Sequence, residues 1–232
     1  MRIALSMFAL SSLGCADLRP LEDGATHGAV TVVQDWFTSL AIIDTSAGPV
    51  LVDAGFRAAA VVDGLEAQGV DPAAVRTVLL THGHGDHVGG RAGLPQAELW
   101  GIGAEGALLA EEADGATLDR ALEAGERLAF GDTTVEVLSV PGHTTGSAVY
   151  LVDGVLLLGD TCLVDGDGRI QPVAAKRSAD PEQAARSLAG VARHLEARGV
   201  TIDWLVPSHS GAVRGLAPLL EYAARVESDH EG

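Results

Sequence analysis

A layered α/β sandwich is the fold class this sequence predicts, with a site where strand ends meet. Two observations carry that expectation. Short β-like segments joined by turns fill two stretches, about 30–55 and 134–158, and each half also contains segments of helical period. Several of the apolar segments run directly into loops that carry His or Asp beside Gly or Ser. Two β-rich halves, each with helices, bury their apolar faces most simply as stacked layers.

The chain has 232 residues and is 47% hydrophobic, enough for one large domain or two intimately packed halves. Its formal charge of -17 comes from 32 acidic against 15 basic residues, and Lys176 is the only lysine. Such a surface repels polyanions, so no nucleic-acid partner is expected, and a solvated acidic exterior is the simpler account. No internal repeat or low-complexity run is visible. At the amino terminus, Arg2 precedes an apolar run from Ile3 to Leu13. That run is too short to span a bilayer but suits the apolar core of a secretory signal. Ser12, Leu13, Gly14 and Cys15 resemble a bacterial lipoprotein box, with Ser12 where leucine is usual. The expectation is therefore a signal over residues 1–15 with Cys15 acylated, a tether over 16–28, and a domain over 29–228. The protein would then be extracytoplasmic and touch a membrane only through its lipid. The alternative is a cytoplasmic protein with a leading strand and a buried Cys15. An acylated Cys15 would leave Cys162 without a partner, so disulfides would play no part in the fold.

From Val30 the segments VTVVQ, SLAIIDT and GPVLVDAG read as strands, with Ser46 to Pro49 as the turn between the last two. Asp53 and Gly55 follow the third strand, where a loop would face the site. Ala58 to Gln68 has helical spacing and stops at Gly69. Val75 to Leu80 is β-branched and apolar, a buried strand. After a short segment ELWGI, helices are expected over Ala104–Glu112 and Leu118–Glu123. Strands follow at Thr134–Ser139, Ala148–Val152 and Val155–Leu158, the last two joined tightly through Asp153 and Gly154. Asp180 and Pro181, with Gln183 three residues after the cap, open a long helix that ends near Gly199. Asp203 to Pro207 is a strand, and Leu216 to Val226 a closing amphipathic helix.

The stretch Thr81 to Gly90, THGHGDHVGG, is the chemical centre. Imidazole nitrogens and carboxylate oxygens are donors for a borderline divalent metal. His82 and His84, two apart in an extended segment, leave one face and can share an ion. Asp86 and His87 lie beyond that ion's reach and are placed for a second. His143 in PGHTTGS, Asp160 after the apolar run Leu156 to Leu158, and His209 in PSHSG all follow apolar strands. Alone each reads as hydrogen-bonded structure; beside the cluster they read as ligands.

At these residues the chain resembles the metallo-β-lactamase-fold hydrolases, the superfamily that includes glyoxalase II, quorum-quenching lactonases, zinc-dependent β-lactamases and ribonuclease Z. The resemblance covers about Val30 to Val226 and implies an αββα sandwich of two mixed β-sheets flanked by helices. It implies that one metal takes His82, His84 and His143, that a second takes Asp86, His87 and His209, and that Asp160 bridges them. Three departures stand out. Glyoxalase II carries a further carboxy-terminal helical region with basic residues for glutathione, whereas a single helix follows His209 here. Many zinc β-lactamases have cysteine in place of the bridging aspartate, whereas this chain has Asp160 with Cys162 two residues later, read as a packing residue. Ser208 and Ser210 flank His209 where relatives more often have glycine, as hydroxyl donors near the ligands or as turn formers.

The implied chemistry is metal-assisted hydrolysis with two divalent ions, zinc first and iron or manganese as alternatives. Two such ions lower the pKa of a shared water from 15.7 to about 7, and the hydroxide attacks an ester, thioester, lactone or lactam carbonyl of a small molecule. Asp86 is the catalytic candidate, orienting the hydroxide or passing a proton to the leaving group. Tyr150 and Tyr222 are conceivable oxyanion donors, but their positions in a strand and in the last helix favour packing. A rival from the same superfamily is the persulfide dioxygenase type, which binds one iron through positions matching His82, His143 and Asp160. A non-catalytic lipoprotein stapled by metal is disfavoured, because structural zinc sites are closed and Cys-rich. Trp36 and Phe37 offer an apolar wall for substrate, and Lys176 with Arg177 a partner for a substrate carboxylate or a solvated pair.

Overall fold

A computed structural model describes residues 17–230, and the signal and acylation expectations for Met1 to Cys15 lie outside the described residues. The first half contains β1 (Thr26–His27), β2 (Val30–Asp35), β3 (Thr38–Ile43), β4 (Val50–Val52), α1 (Ala58–Ala67), β5 (Thr77–Leu79), the short α2 (Gly85–Val88), β6 (Glu98–Ile102), α3 (Gly106–Glu112) and β7 (Arg120–Leu122). The second contains β8 (Arg127–Phe130), β9 (Thr133–Ser139), β10 (Ala148–Val152), β11 (Val155–Gly159), β12 (Leu163–Val164), β13 (Ile170–Gln171), α4 (Pro181–Ala197), β14 (Trp204–Pro207), β15 (Val213–Arg214) and α5 (Ala217–His230).

Seven strands form one sheet in the order β1-β2-β3-β4-β5-β6-β7, and six form another in the order β15-β14-β11-β10-β9-β8. Both are mixed: β4 to β7 are parallel, as are β11 and β14, and the remaining pairs are antiparallel. The strands read as unbroken apolar runs because both faces are covered. Along β10 and β11 the odd and even positions separate cleanly. Tyr150, Val152 and Leu157 point between the sheets with Val32, Ile43 and Leu79. Val149, Leu151, Leu156 and Leu158 point outward, where α4 and α5 cover them with Leu188, Leu195 and Leu219. On the other side, Val33, Leu40, Leu51 and Leu80 meet Val61 and Leu65 of α1 and Leu109 of α3. The result is the expected four-layer αββα sandwich.

The structure corrects two expectations and adds a strand. Leu118–Glu123 is not helical. Its centre is β7, parallel to β6, and the Asp119 carboxylate accepts the Leu99 N–H at 2.9 Å. A six-residue segment cannot nucleate a helix alone, while a free sheet edge offers its backbone partners directly. Residues 17–28 are not a free tether. Arg19 N–H donates to Val164 O at 2.9 Å, Gly211 N–H to Arg19 O at 2.8 Å, and β1 pairs with β2. Leu18 makes a bridge to Asp165, and His27 is buried against Trp204 with ring centroids 4.3 Å apart. Strand β8, unexpected, alternates exposed and buried residues, with Leu128 and Phe130 turned inward.

Candidate metal centre

Each candidate ligand follows a strand at its carboxyl end. β5 leads into Thr81 and His82, and His84 sits at the cap of α2 with extended backbone, so Asp86 and His87 fall in that helix's first turn. His143 follows β9, Asp160 follows β11 and His209 follows β14. These three strands run the same way, because β10 is antiparallel to both β9 and β11 and β14 is parallel to β11. Gly159 adopts φ +53°, and a Cβ there would lie 2.6 Å from the Thr81 side chain. Only glycine lets β11 turn there and present Asp160 against the first half of the chain.

The seven predicted residues converge. His143 Nε2 lies 3.2 Å from His82 Nε2 and 3.1 Å from His84 Nδ1. Asp160 reaches the other cluster, with Oδ1 3.1 Å from His87 Nε2 and Oδ2 3.0 Å from His209 Nε2. It also faces the first cluster, 3.7 Å from His143 and 4.0 Å from His82. Asp86 Oδ2 is 3.3 Å from His209 Nε2 and 3.9 Å from His87 Nε2. The donor atoms of His82, His84 and His143, of His82, His87 and Asp160, and of Asp86, His87 and His209 each lie within 4.8 Å of one another.

Whether these groups suit a cation is decided by the rings' outer nitrogens. Thr81 Oγ1 donates to Asp53 Oδ2 at 2.8 Å, so its contact with His82 Nδ1 at 3.0 Å is a bond that His82 donates. His87 Nδ1 donates to Asp53 Oδ2 at 2.7 Å, and His209 Nδ1 to the Phe37 carbonyl at 2.8 Å. With Nδ1–H committed to these acceptors, all three rings turn Nε2 inward, the atom a metal takes in place of its proton. Consistent with that, His87 Nε2 and Asp160 Oδ1 are buried without a hydrogen-bond partner. The donor set fits a divalent ion.

Without a metal, protons compensate the carboxylates. Burial opposes charge on His209, yet Asp160 and Asp86 push it up to about 10. Burial also opposes charge on His87, but Asp160 and Asp53 raise it well above the ordinary value. Asp160 is held well below the carboxylate range by His87 and His209 despite its burial. His143, away from this pairing, falls to about 4 through burial, partly offset by Asp160.

Other expectations resolve differently. Tyr150 is fully buried and donates to Leu80 O at 2.7 Å, so it is structural. Tyr222 and Cys162 pack together in the layer beneath α4 and α5, and burial pushes the Cys162 thiol up to about 12. Ser210 Oγ accepts the Val164 N–H at 2.8 Å and the Ser208 carbonyl accepts Ser39 Oγ at 3.1 Å, both holding the turn. Lys176 and Arg177 are exposed in a short 3-10 turn preceding Ser178, whose Oγ is 3.4 Å from His143 Nδ1. Phe37 stacks on His209 with centroids 5.6 Å apart and planes 9° apart. Phe37, Trp36 and Phe56 form an aromatic rim, exposed by 39%, 63% and 38%. Two further residues have roles at the site that the sequence does not assign: Asp53, placed only in a loop facing the site, and Glu105, buried beside Gly83 and lying inside a helical pattern.

The metallo-beta-lactamase superfamily model matches residues 33–226. A hydroxyacylglutathione hydrolase of Xanthomonas euvesicatoria is 38% identical over 154 residues, which are 65% of this chain and 56% of that protein. One of a Synechococcus species is 38% identical over 156 residues, 60% of this chain and 58% of its own. This chain thus spans little more than half the length of those relatives. Among solved structures, a subclass B3 metallo-beta-lactamase of Bradyrhizobium japonicum superposes with a TM-score of 0.66 at 23% identity, covering 93% of this chain and 94% of that one. A B3 enzyme described by its active-site glutamic acid gives 0.66 at 22%, covering 92% and 90%. At such identities these structures show the fold alone.

Proposed function

The chain belongs to the metallo-beta-lactamase superfamily, and on that premise we propose that it is a hydrolase using two divalent metal ions, zinc first, to cleave a small-molecule ester, thioester, lactone or lactam. The carrying observation is the convergence of five imidazoles and two carboxylates, whose donor atoms fall into three overlapping sets each within 4.8 Å. In this reading His82, His84 and His143 hold one ion, Asp86, His87 and His209 hold the other, and Asp160 serves both. When bound, such ions act as Lewis acids that lower the pKa of water from 15.7 to about 7 and polarise a carbonyl. The protein's own part is orientation. Asp53, Thr81 and the Phe37 carbonyl lock three of the rings, and Asp86, one-fifth exposed, is placed to orient water or hand a proton to the leaving group. The aromatic rim beside His209 supports a substrate with an apolar flank.

Elemental analysis and a panel of thioesters, esters, lactones and β-lactams on the zinc-loaded protein test this reading. Close to two zinc ions and turnover in one class are expected, with His87→Ala lowering occupancy towards one. A single iron insensitive to that change would instead favour the persulfide dioxygenase type, since His82, His143 and Asp160 also lie together. We further propose, from Arg2, the apolar run and Cys15, that the protein is a secreted lipoprotein. Native protein should then partition with membranes and carry lipid, and Cys15→Ser should release it or leave it unprocessed. A soluble native protein beginning at Met1 would refute this location.

A further inference from the structure

Glu105 is fully buried, and its partners are two backbone N–H groups and a hydroxyl. A carboxylate taken out of water persists only where hydrogen bonds replace hydration. The origin of those bonds is informative. Oε2 accepts the N–H of Gly83 at 2.7 Å, between His82 and His84. Oε1 accepts the N–H of Gly146 at 2.6 Å and the Thr144 hydroxyl at 2.5 Å, in the loop that carries His143. One buried side chain, presented by the 3-10 turn Gly103–Glu105 at the end of β6, thus fastens a ligand loop of the first sheet to a ligand loop of the second. The fit is tight: a Cβ on Gly83 would lie 3.2 Å from Oε2, and one on Gly146 2.9 Å from Oε1. The same turn adds a second tie, Thr145 Oγ1 donating to Ala104 O at 3.2 Å.

From this we infer that Glu105 is a positioning residue that sets the separation at which His84 and His143 share an ion with His82. It touches neither ion nor substrate, and the inference rests on the metal reading of those imidazoles. Glu105→Gln keeps the volume but turns an NH2 towards donors, so one loop loses its tie. Partners that bond the ligand rings directly are worth roughly 10- to 100-fold in metal affinity, and a loss near the lower end, about tenfold, is expected for one that holds the ligand loops.

The test is Co(II) titration of the metal-free full chain, read by visible absorption and calorimetry, beside urea unfolding of the same metal-free samples. Wild type should take up Co(II) in two steps, whereas Glu105→Gln should lose about tenfold in affinity, with an altered band, in the step that His143→Ala abolishes. His209→Ala, which removes a ligand of the second set only, should weaken the other step. Thr144→Val, which removes one donor and keeps the shape, should give a smaller loss in the same step as Glu105→Gln and decides the matter if that variant does not fold. Folded variants with wild-type isotherms and spectra, even with lowered urea midpoints, would overturn the inference by making Glu105 merely structural. A wild-type chain that takes up no Co(II) would instead overturn the metal reading beneath it.

Discussion

Asp53 and Asp160 show how two buried aspartates near one site do different work. Asp53 accepts from Thr81 N, Thr81 Oγ1 and His87 Nδ1, all at 2.7 to 2.8 Å, so its oxygens are committed to donors. Asp53→Asn must leave one of them facing an NH2, costing about 1–3 kcal/mol of stability and weakening the ion on His87 roughly 10- to 100-fold. Thermal unfolding and metal titration check both. In metal-free protein Asp160 is the counter-charge of His87 and His209, so Asp160→Ala should lower the urea unfolding midpoint at pH 7 while leaving the chain folded. Hydrolysis by the loaded enzyme should fall by two or more powers of ten, about 3 kcal/mol of transition-state stabilisation. Near-normal turnover with two metals retained would remove Asp160 from its bridging role. The seven ligand-type residues were legible because donor type, tight spacing and strand-end position coincide in the chain. Asp53 and Glu105 were not, because their partners lie 22 to 41 residues away and nothing local distinguishes them from solvated carboxylates.

Among the elements, the β2–β3 hairpin carries a cost that its packing does not explain. Trp36 sits at its tip with φ +60°, a conformation that costs a non-glycine residue roughly 1–2 kcal/mol, and its ring is mostly exposed. The hairpin is locked below: Asp35 accepts both N–H groups of Phe56 and Arg57 and pairs with the Arg57 guanidinium at 2.7 and 2.8 Å. Trp36→Gly should therefore hold or raise Tm while raising KM for substrates with apolar flanks more than for polar ones. An equal change in KM for both would mean the rim is not a substrate contact. On the far side, Arg198 after α4 pairs bidentately with Glu136 of β9, a bond that holds the Glu136 carboxyl below its ordinary 4.5. A depressed carboxyl stabilises the fold above about 4.5, and the contribution fades as pH falls through the folded value. Arg198→Met should lower Tm by roughly 2–4 °C at pH 7, about 1 kcal/mol for a half-exposed, screened guanidinium, and the difference should close in acid. Long helices and buried strands were legible from caps and apolar runs. Short edges such as β7 and β8 were not, since their conformation comes from a neighbouring strand rather than from their own residues.

At the scale of the whole molecule, the two sheets share an apolar interior yet contribute separate halves of the site: His82 to His87 follow the first sheet, while His143, Asp160 and His209 follow the second. Among the described residues, direct ties across this junction include Ala148 N–H to Thr81 O at 2.8 Å, Ser39 Oγ to Ser208 O at 3.1 Å, His209 Nδ1 to Phe37 O at 2.8 Å, Tyr150 OH to Leu80 O at 2.7 Å and the bonds to Glu105. Bound ions would therefore act as cross-links between halves as well as cofactors. A site filled at a hundred times its Kd contributes about 2.7 kcal/mol, so losing one ion should lower Tm by roughly 5–10 °C in a chain of this size. The loss should also be local. Hydrogen exchange should quicken on chelation in residues 81–90, 141–147 and 207–211, while α4, whose apolar face is buried on the second sheet, should stay protected. Exchange rising equally in α4 would show that the ions hold up the whole fold. Exchange unchanged in all three loops, with metal demonstrably removed, would show that the halves are joined by their shared core alone.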